Sequence, residues 1–176
     1  PELISQFPEK MRKLALSVLQ ERGINVLVNT AVSKIEPHKI ITADAKEIHS
    51  HTIIWVAGVK PMLGSIKGIE VGPKGRMDVN EYLQSIQDSS IFGLGDSAGA
   101  FPMLAQIAVQ QAKTVSSNVT ALINKTEMTK FTTHIKGLLI SLGQWSALGQ
   151  FGKVTLRGPI MWFIWRTIYL FNFHSW

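Results

Sequence analysis

Ile91-Phe-Gly-Leu-Gly-Asp96-Ser-Ala-Gly99 is the stretch on which the fold turns. An apolar run ends on a glycine and an acid. From Met103 to Asn124, Leu104, Ile107, Ala108, Val115, Val119 and Leu122 then recur at helical spacing. A strand therefore runs through a short loop into a long helix. Upstream, Pro8 stands where a first helical turn tolerates proline. Met11, Leu14, Ala15, Val18 and Leu19 follow at helical spacing, and Gly23 supplies a stop, which predicts a helix over 8–22. Ile24 to Val28, Val32 to Glu36, Lys39 to Thr42 and Thr52 to Val56 are short β-rich runs broken by Asn29, Pro37-His38 and Asp44. Gly64, Gly68, Gly72 and Gly75 with Pro61 and Pro73 mark a crossing segment, followed by a short strand from Met77 to Val79. The final third predicts strands around Leu138 to Leu142, Ala147 to Phe151 and Val154 to Leu156, before Gly158-Pro159 opens an aromatic segment. The alternation of helices and strands is that of an α/β fold.

Composition narrows the function classes. With 45% hydrophobic and 17% charged residues the chain is too apolar for disorder. No cysteine is present, which excludes thiolate metal sites, thiol nucleophiles and disulfides within these residues. The net charge of +6 is uneven: residues 1–127 hold 13 basic and 12 acidic side chains, while 128–176 hold Lys130, Lys136, Lys153, Arg157 and Arg166 and no acid. A neutral body with a cationic, aromatic end points to an anionic membrane surface rather than nucleic acid. Pro1 opens the chain with no initiator Met and no signal-peptide order, so the expectation is a fragment lacking its N-terminal part.

Three motifs overlap in the glycine loop. Gly93, Gly95 and Ala98 satisfy the dinucleotide fingerprint G-x-G-x-x-A, but the next acid is Glu127, with no second strand before it, so the required βαβ unit is missing. Gly95, Ser97 and Gly99 satisfy the nucleophile elbow G-x-S-x-G. Ser97 would then draw on Glu127 and on His134 or His174, and an α/β-hydrolase-type esterase stands as the alternative function. The third motif is a glycine-acid turn facing a flavin. There Asp96 accepts hydrogen bonds from ribityl hydroxyls, Gly95 allows close approach, and the next helix directs its positive end at the ring. The helix sequence Ala105-Gln106-Ile-Ala108-Val-Gln110-Gln111 favours this reading, since Gln106 and Gln110 share one face.

Trp55-Val-Ala-Gly-Val59, Gly75-Arg-Met-Asp78, Tyr82-Leu83, Ile91 to Asp96 and the AQxAxQQ helix follow one another in an order and spacing that resemble the type II, single-subunit, non-proton-pumping NADH:quinone oxidoreductases. The resemblance covers almost the whole chain. It implies the later half of two Rossmann-like domains, FAD- and NADH-binding, followed by a small α+β membrane-docking region. On that expectation 1–60 belongs to the NADH domain, 61–125 to the FAD domain and 126–176 to the docking region. The resemblance further implies FAD as cofactor, NADH as substrate and a membrane quinone as acceptor. Gly95 and Asp96 fall in the ribityl-binding turn, and Ala105 and Gln106 lie beneath the flavin ring, with Gln106 and Gln110 at the quinone pocket. Ala57 and Gly58 fall in the nicotinamide channel, and Lys136 near flavin and quinone. The expected setting is a peripheral protein on the cytoplasmic face of the inner (plasma) membrane, with room for a homodimer. Absence of cysteine separates the chain from the related sulfide:quinone oxidoreductases, which depend on redox cysteines.

The end of the chain carries Trp162, Phe163, Trp165, Tyr169, Phe171, Phe173 and Trp176. Its uninterrupted apolar run, Ile160 to Trp165, is far shorter than the roughly 20 residues a membrane span requires. A helix lying in the membrane interface is expected, with aromatic rings at headgroup depth and Lys and Arg drawn to anionic lipid. His49 and His51 stand at strand-like spacing without a third ligand nearby, so a solvated strand face is expected rather than a metal site.

Overall fold

The computed structural model describes residues 3–58, 61, 63, 69–72, 75–99 and 101–172, the last by its backbone alone. Val59, Gly64, Gly68, Pro73, Phe173, His174 and Trp176, all named above, lie outside the described residues. The chain divides into two units, one made of Pro1–Trp55 with Lys136–Trp176 and the other of Val56–Ile135.

In the first unit, helix α1 (Glu9–Glu21) begins behind Pro8, whose carbonyl accepts from the Met11 and Arg12 amides. It ends where Gly23, at φ +75°, lets its own N–H reach Gln20 O (2.9 Å) and the Ile24 N–H reach Leu19 O (3.0 Å). That is a Schellman closure, and it explains why the apolar spacing stops at glycine. Strands β1 (Val32–Glu36), β2 (Lys39–Thr42) and β3 (Glu47–His49) form an antiparallel meander. Lys39 Nζ ties it together, 2.7 Å from Glu47 and 3.4 Å from Glu36. Hydrogen bonding first to Glu47 and then to Glu36 holds the Lys39 ammonium above its usual pKa.

Strands β4 (Leu138–Ser141), β5 (Ala147–Phe151) and β6 (Val154–Gly158) form a second antiparallel sheet, and helix α3 is Pro159–Asn172. The period of two along β5 sends Leu148 to one face and Ala147 and Gly149 to the other. Leu148 joins Met11 and Ala15 of α1, with Leu138, Ile140 and Leu142 beside them. On the opposite face Gly149 leaves the space that the buried Met161 of α3 fills; a Cβ there would collide with the Met161 thioether and approach Leu139 Cδ2 to 3.0 Å. The small sheet is thus sandwiched between α1 and α3. Arg22, just past α1, donates to Leu142 O (3.0 Å) and Gln144 O (2.9 Å), fastening the β4–β5 turn.

The second unit is built on helix α2 (Ala105–Asn124), which buries Ile107, Gln111, Asn118 and Ala121 along one stripe. Met77, Leu83 and Ala98 of the same unit are buried as well. The Asn118 side chain donates to Tyr82 O (3.0 Å) and Thr129 O (2.9 Å) and accepts from the Thr129 N–H (2.8 Å). One amide therefore holds both the turn before the glycine loop and the strand-like segment after the helix.

The three long helices and β1, β2, β4, β5 and β6 follow the sequence expectations, and β3 is added. Four expected strands form no ladder among the described residues. Ile24 to Val28 and Thr52 to Val56 belong to no ladder among the described residues, and Ile24, Leu27, Ile54, Trp55 and Val56 are exposed. Strand residues need a hydrogen-bonded neighbour as well as β-branched side chains, and these runs have none among the described residues. Met77 to Val79 and Ile91 to Gly93 are likewise reduced to single bridges, Met77 to Ala98, Val79 to Ser85 and Gln84 to Phe92.

Leu148→Ala removes the centre of the first core and should cost about 2–5 kcal/mol by urea denaturation followed through Trp emission, whereas Ile54→Ser, at an exposed position, should stay within about 0.5 kcal/mol. Asn118→Ala strands three backbone groups in the second unit. It should destabilise by about 3 kcal/mol, read as an earlier loss of helical circular dichroism on heating.

Candidate functional site

The glycine loop is a 3-10 turn, Gly95–Ser97, entered through extended Leu94 and left through extended Ala98. Gly95 takes φ +63°, a left-handed conformation that glycine adopts without the penalty of a side chain. Backbone bonds fix the flanks: Gly93 N–H to Leu83 O, Met77 N–H to Ser97 O, and Gly99 N–H to Met77 O. The Gly95 N–H is held differently, donating to Gln111 Oε1 on α2 at 2.7 Å. Asp96 is exposed, and its carboxylate has no hydrogen-bond or ion-pair partner among the described residues.

Arg76 Nη1 donates to Gly99 O (3.2 Å) and Phe101 O (3.0 Å), holding the connection that leads to the start of α2. Leu104 caps that start with its backbone alone, its carbonyl accepting from the Ile107 and Ala108 amides. The first amides of α2, at Ala105 and Gln106, thus project from an end without a side-chain cap, where the helix dipole is positive. The 3-10 turn packs against α2, where a Cβ added to Gly95 would meet Ala108 Cβ at 3.5 Å. Gly95, Asp96, Ala105 and Gln106 therefore share one part of the second unit.

Gln110 has a different setting. Its Nε2 donates to Gln106 O (3.0 Å) and His134 O (2.8 Å), and its Oε1 accepts from the His134 N–H (3.1 Å). Both ends of this amide are committed to backbone. With Asn118 two turns further on, it straps residues 129–134 along the helix. Ala57 and Gly58 are exposed, with Gly58 at φ +78°, and belong to the same unit. Lys136 is exposed and opens the C-terminal part of the other unit.

The esterase alternative fails on local geometry. An elbow holds its serine at the junction of strand and helix, whereas here α2 starts only at Ala105, well after Ser97. The Ser97 hydroxyl instead donates to Leu94 O at 2.7 Å, closing its own turn. Among the described residues no cluster of His, Cys, Asp or Glu is arranged to hold a metal ion.

Gln111 was not singled out by the sequence. The signal was present, since Ile107, Gln111, Asn118 and Ala121 form one helical stripe and place Gln111, unlike Gln110, on the buried face.

Two curated relatives match nearly the whole of this chain. A type II NADH:quinone oxidoreductase of Haemophilus influenzae is 32% identical over 188 residues, covering 98% of this chain and 42% of its own length. The internal alternative NAD(P)H-ubiquinone oxidoreductase A1, mitochondrial, of Arabidopsis thaliana is 27% identical, covering 99% of this chain and 39% of its own length. The chain thus spans about two fifths of the curated relatives it matches. An NDH2 from Plasmodium falciparum, solved in complex with NADH, superposes with a TM-score of 0.81 at 15% identity, over 100% of this chain and 53% of that one, which establishes the shared α/β fold. Residues 1–112 match the profile described as pyridine nucleotide-disulphide oxidoreductase, and the chain belongs to that family.

Proposed function

We propose that this chain supplies part of the flavin and quinone sites of an NADH:quinone oxidoreductase. The carrying observation is the Gly95–Asp96 turn docked on the start of α2, which brings an exposed acid, a left-handed glycine and an uncapped helix end together beside Gln106. The names of the curated relatives support the same reading.

These residues fit FAD. An unpartnered carboxylate suits the ribityl hydroxyls, and a glycine at φ +63° presents bare backbone to a close neighbour. FAD, when bound, takes two electrons from NADH and passes them to the acceptor. The chain's part is positioning and electrostatics. Asp96 would hold bound FAD by accepting hydrogen bonds from its ribityl hydroxyls. The α2 start, with the amides of Ala105 and Gln106, stabilises negative charge where it accumulates on reduction. Gln106 stands at the quinone side, where an amide N–H can donate to a quinone carbonyl. Gln110 contributes indirectly, its amide tying the His134 peptide to the Gln106 carbonyl on α2. Ala57 and Gly58, small and exposed, leave room for the nicotinamide, and Lys136 adds a cation near the acceptor. In this reading 1–60 serves the NADH domain, 61–125 the FAD domain and 126–176 membrane docking.

The docking role rests on α3. Ile160, Phe163, Leu170 and Phe171 are exposed along one side, from 53% for Phe163 to 76% for Ile160. Trp145 of the β4–β5 turn meets Trp162 and Phe163, with ring centroids 4.7 and 5.4 Å away, and Arg166 lies 5.3 Å over Trp162. Such an aromatic and cationic surface suits the interface of an anionic membrane. No described helix is long and apolar enough to cross one. A peripheral position on the cytoplasmic face of the inner membrane follows as part of the proposal.

In the complete protein that carries these residues, Gln106→Ala should slow quinone reduction about ten-fold while flavin reduction by NADH changes little, measured as separate half-reactions by stopped flow. Equal losses in both would refute the role of Gln106. Ile160→Ser with Phe163→Ser should release the protein from anionic vesicles; unchanged co-sedimentation would contradict docking through α3.

A further inference from the structure

Gln111 is completely buried, yet it is polar and one of its atoms lacks a partner. Oε1 accepts from the Gly95 N–H at 2.7 Å, while Nε2 is enclosed with no hydrogen-bond partner among the described residues. A residue that only filled this space would be leucine or methionine, because an enclosed amide with an unmet donor destabilises the fold. Its retention calls for a task that a hydrocarbon cannot perform.

The task is legible in the turn. Gly95 is the residue at which the loop enters the left-handed region, directly before Asp96 in the 3-10 turn. The neighbouring amides of Gly93, Ala98 and Gly99 bond to backbone carbonyls. For Gly95 the acceptor lies 16 residues later in sequence, on the helix whose N-terminus borders the same turn. The side chain is anchored too: it sits on the stripe of Ile107, Asn118 and Ala121, so its position is fixed by core packing rather than by solvent.

We propose that Gln111 is the positioning residue of the flavin-binding turn: it locks the Gly95 peptide so that Asp96 is set for the ribityl chain before the cofactor arrives. The proposal rests on the flavin reading above. Gln111 acts through Gly95 and Asp96 and does not itself touch a reactant.

The test uses the complete protein, stripped of FAD and titrated with FAD by fluorescence quenching. Gln111→Met keeps length and apolar bulk but removes the acceptor. It should weaken FAD binding about ten-fold, the worth of one buried hydrogen bond. Gln111→Glu keeps an acceptor at the same reach and should stay within roughly three-fold of the wild type, so the loss tracks the acceptor and not the core volume. Two outcomes overturn the role of Gln111 alone, namely a methionine variant that binds FAD like the wild type, or methionine and glutamate variants that lose affinity equally. A wild type that cannot bind FAD at all overturns the flavin reading and this proposal with it. Hydrogen exchange gives an answer even if the methionine variant does not fold. In the flavin-free wild type the Gly95 amide should be protected to the same degree as core amides of α2, and rapid exchange there would show that the turn is not set in advance.

Discussion

The hydrogen bond from the Gly95 amide to Gln111 couples a surface turn to the middle of a helix. A left-handed residue in an exposed loop would ordinarily sample several conformations, and Asp96 would sample them with it. Tying that one amide to a side chain held in the core converts the loop into part of the rigid scaffold. The helix start that borders the turn is fixed by the same contact, so the acid and the positive end of α2 keep one relative geometry. Asn118, two turns along, does for the segments around Tyr82 and Thr129 what Gln111 does for Gly95. Buried amides on a single helix stripe thus organise the unit, where hydrophobic packing alone would leave its loops loose.

Much of this could be read from residue order. Helices announced themselves through apolar spacing and glycine stops, and the Schellman closure at Gly23 accounts for why that signal works. The short runs Leu138 to Leu142, Ala147 to Phe151 and Val154 to Leu156 read as strands, and they pair as the C-terminal sheet. What misled was β-propensity. Ile24 to Val28 and Thr52 to Val56 have the composition of strands, but a strand is a relation between two segments, and composition carries no information about the second one.

The residue types of the candidate site were legible in the sequence, and their hydrogen-bonded wiring was not. Asp96, Gly95 and Gln106 could be picked out because their types and spacing suit a flavin turn. Two adjacent glutamines, by contrast, look equivalent in a sequence. They point about 100° apart on a helix, and that angle decides that Gln110 binds the His134 backbone at the rim while Gln111 enters the core. The glycine-serine pattern around Ser97 misread in the opposite way, since it satisfied a spacing rule while the helix it required began elsewhere.

Arg22 and the core around Leu148 join parts of the chain separated by the entire stretch Val56–Ile135. During synthesis α1 finds its sheet only after that stretch has been made, an interval of about 10 s at usual elongation speeds. Until then the apolar side of α1, with Met11, Ala15 and Val18, is exposed to solvent in the nascent chain. Those three residues therefore offer a ribosome-associated chaperone a target for as long as the sheet is missing.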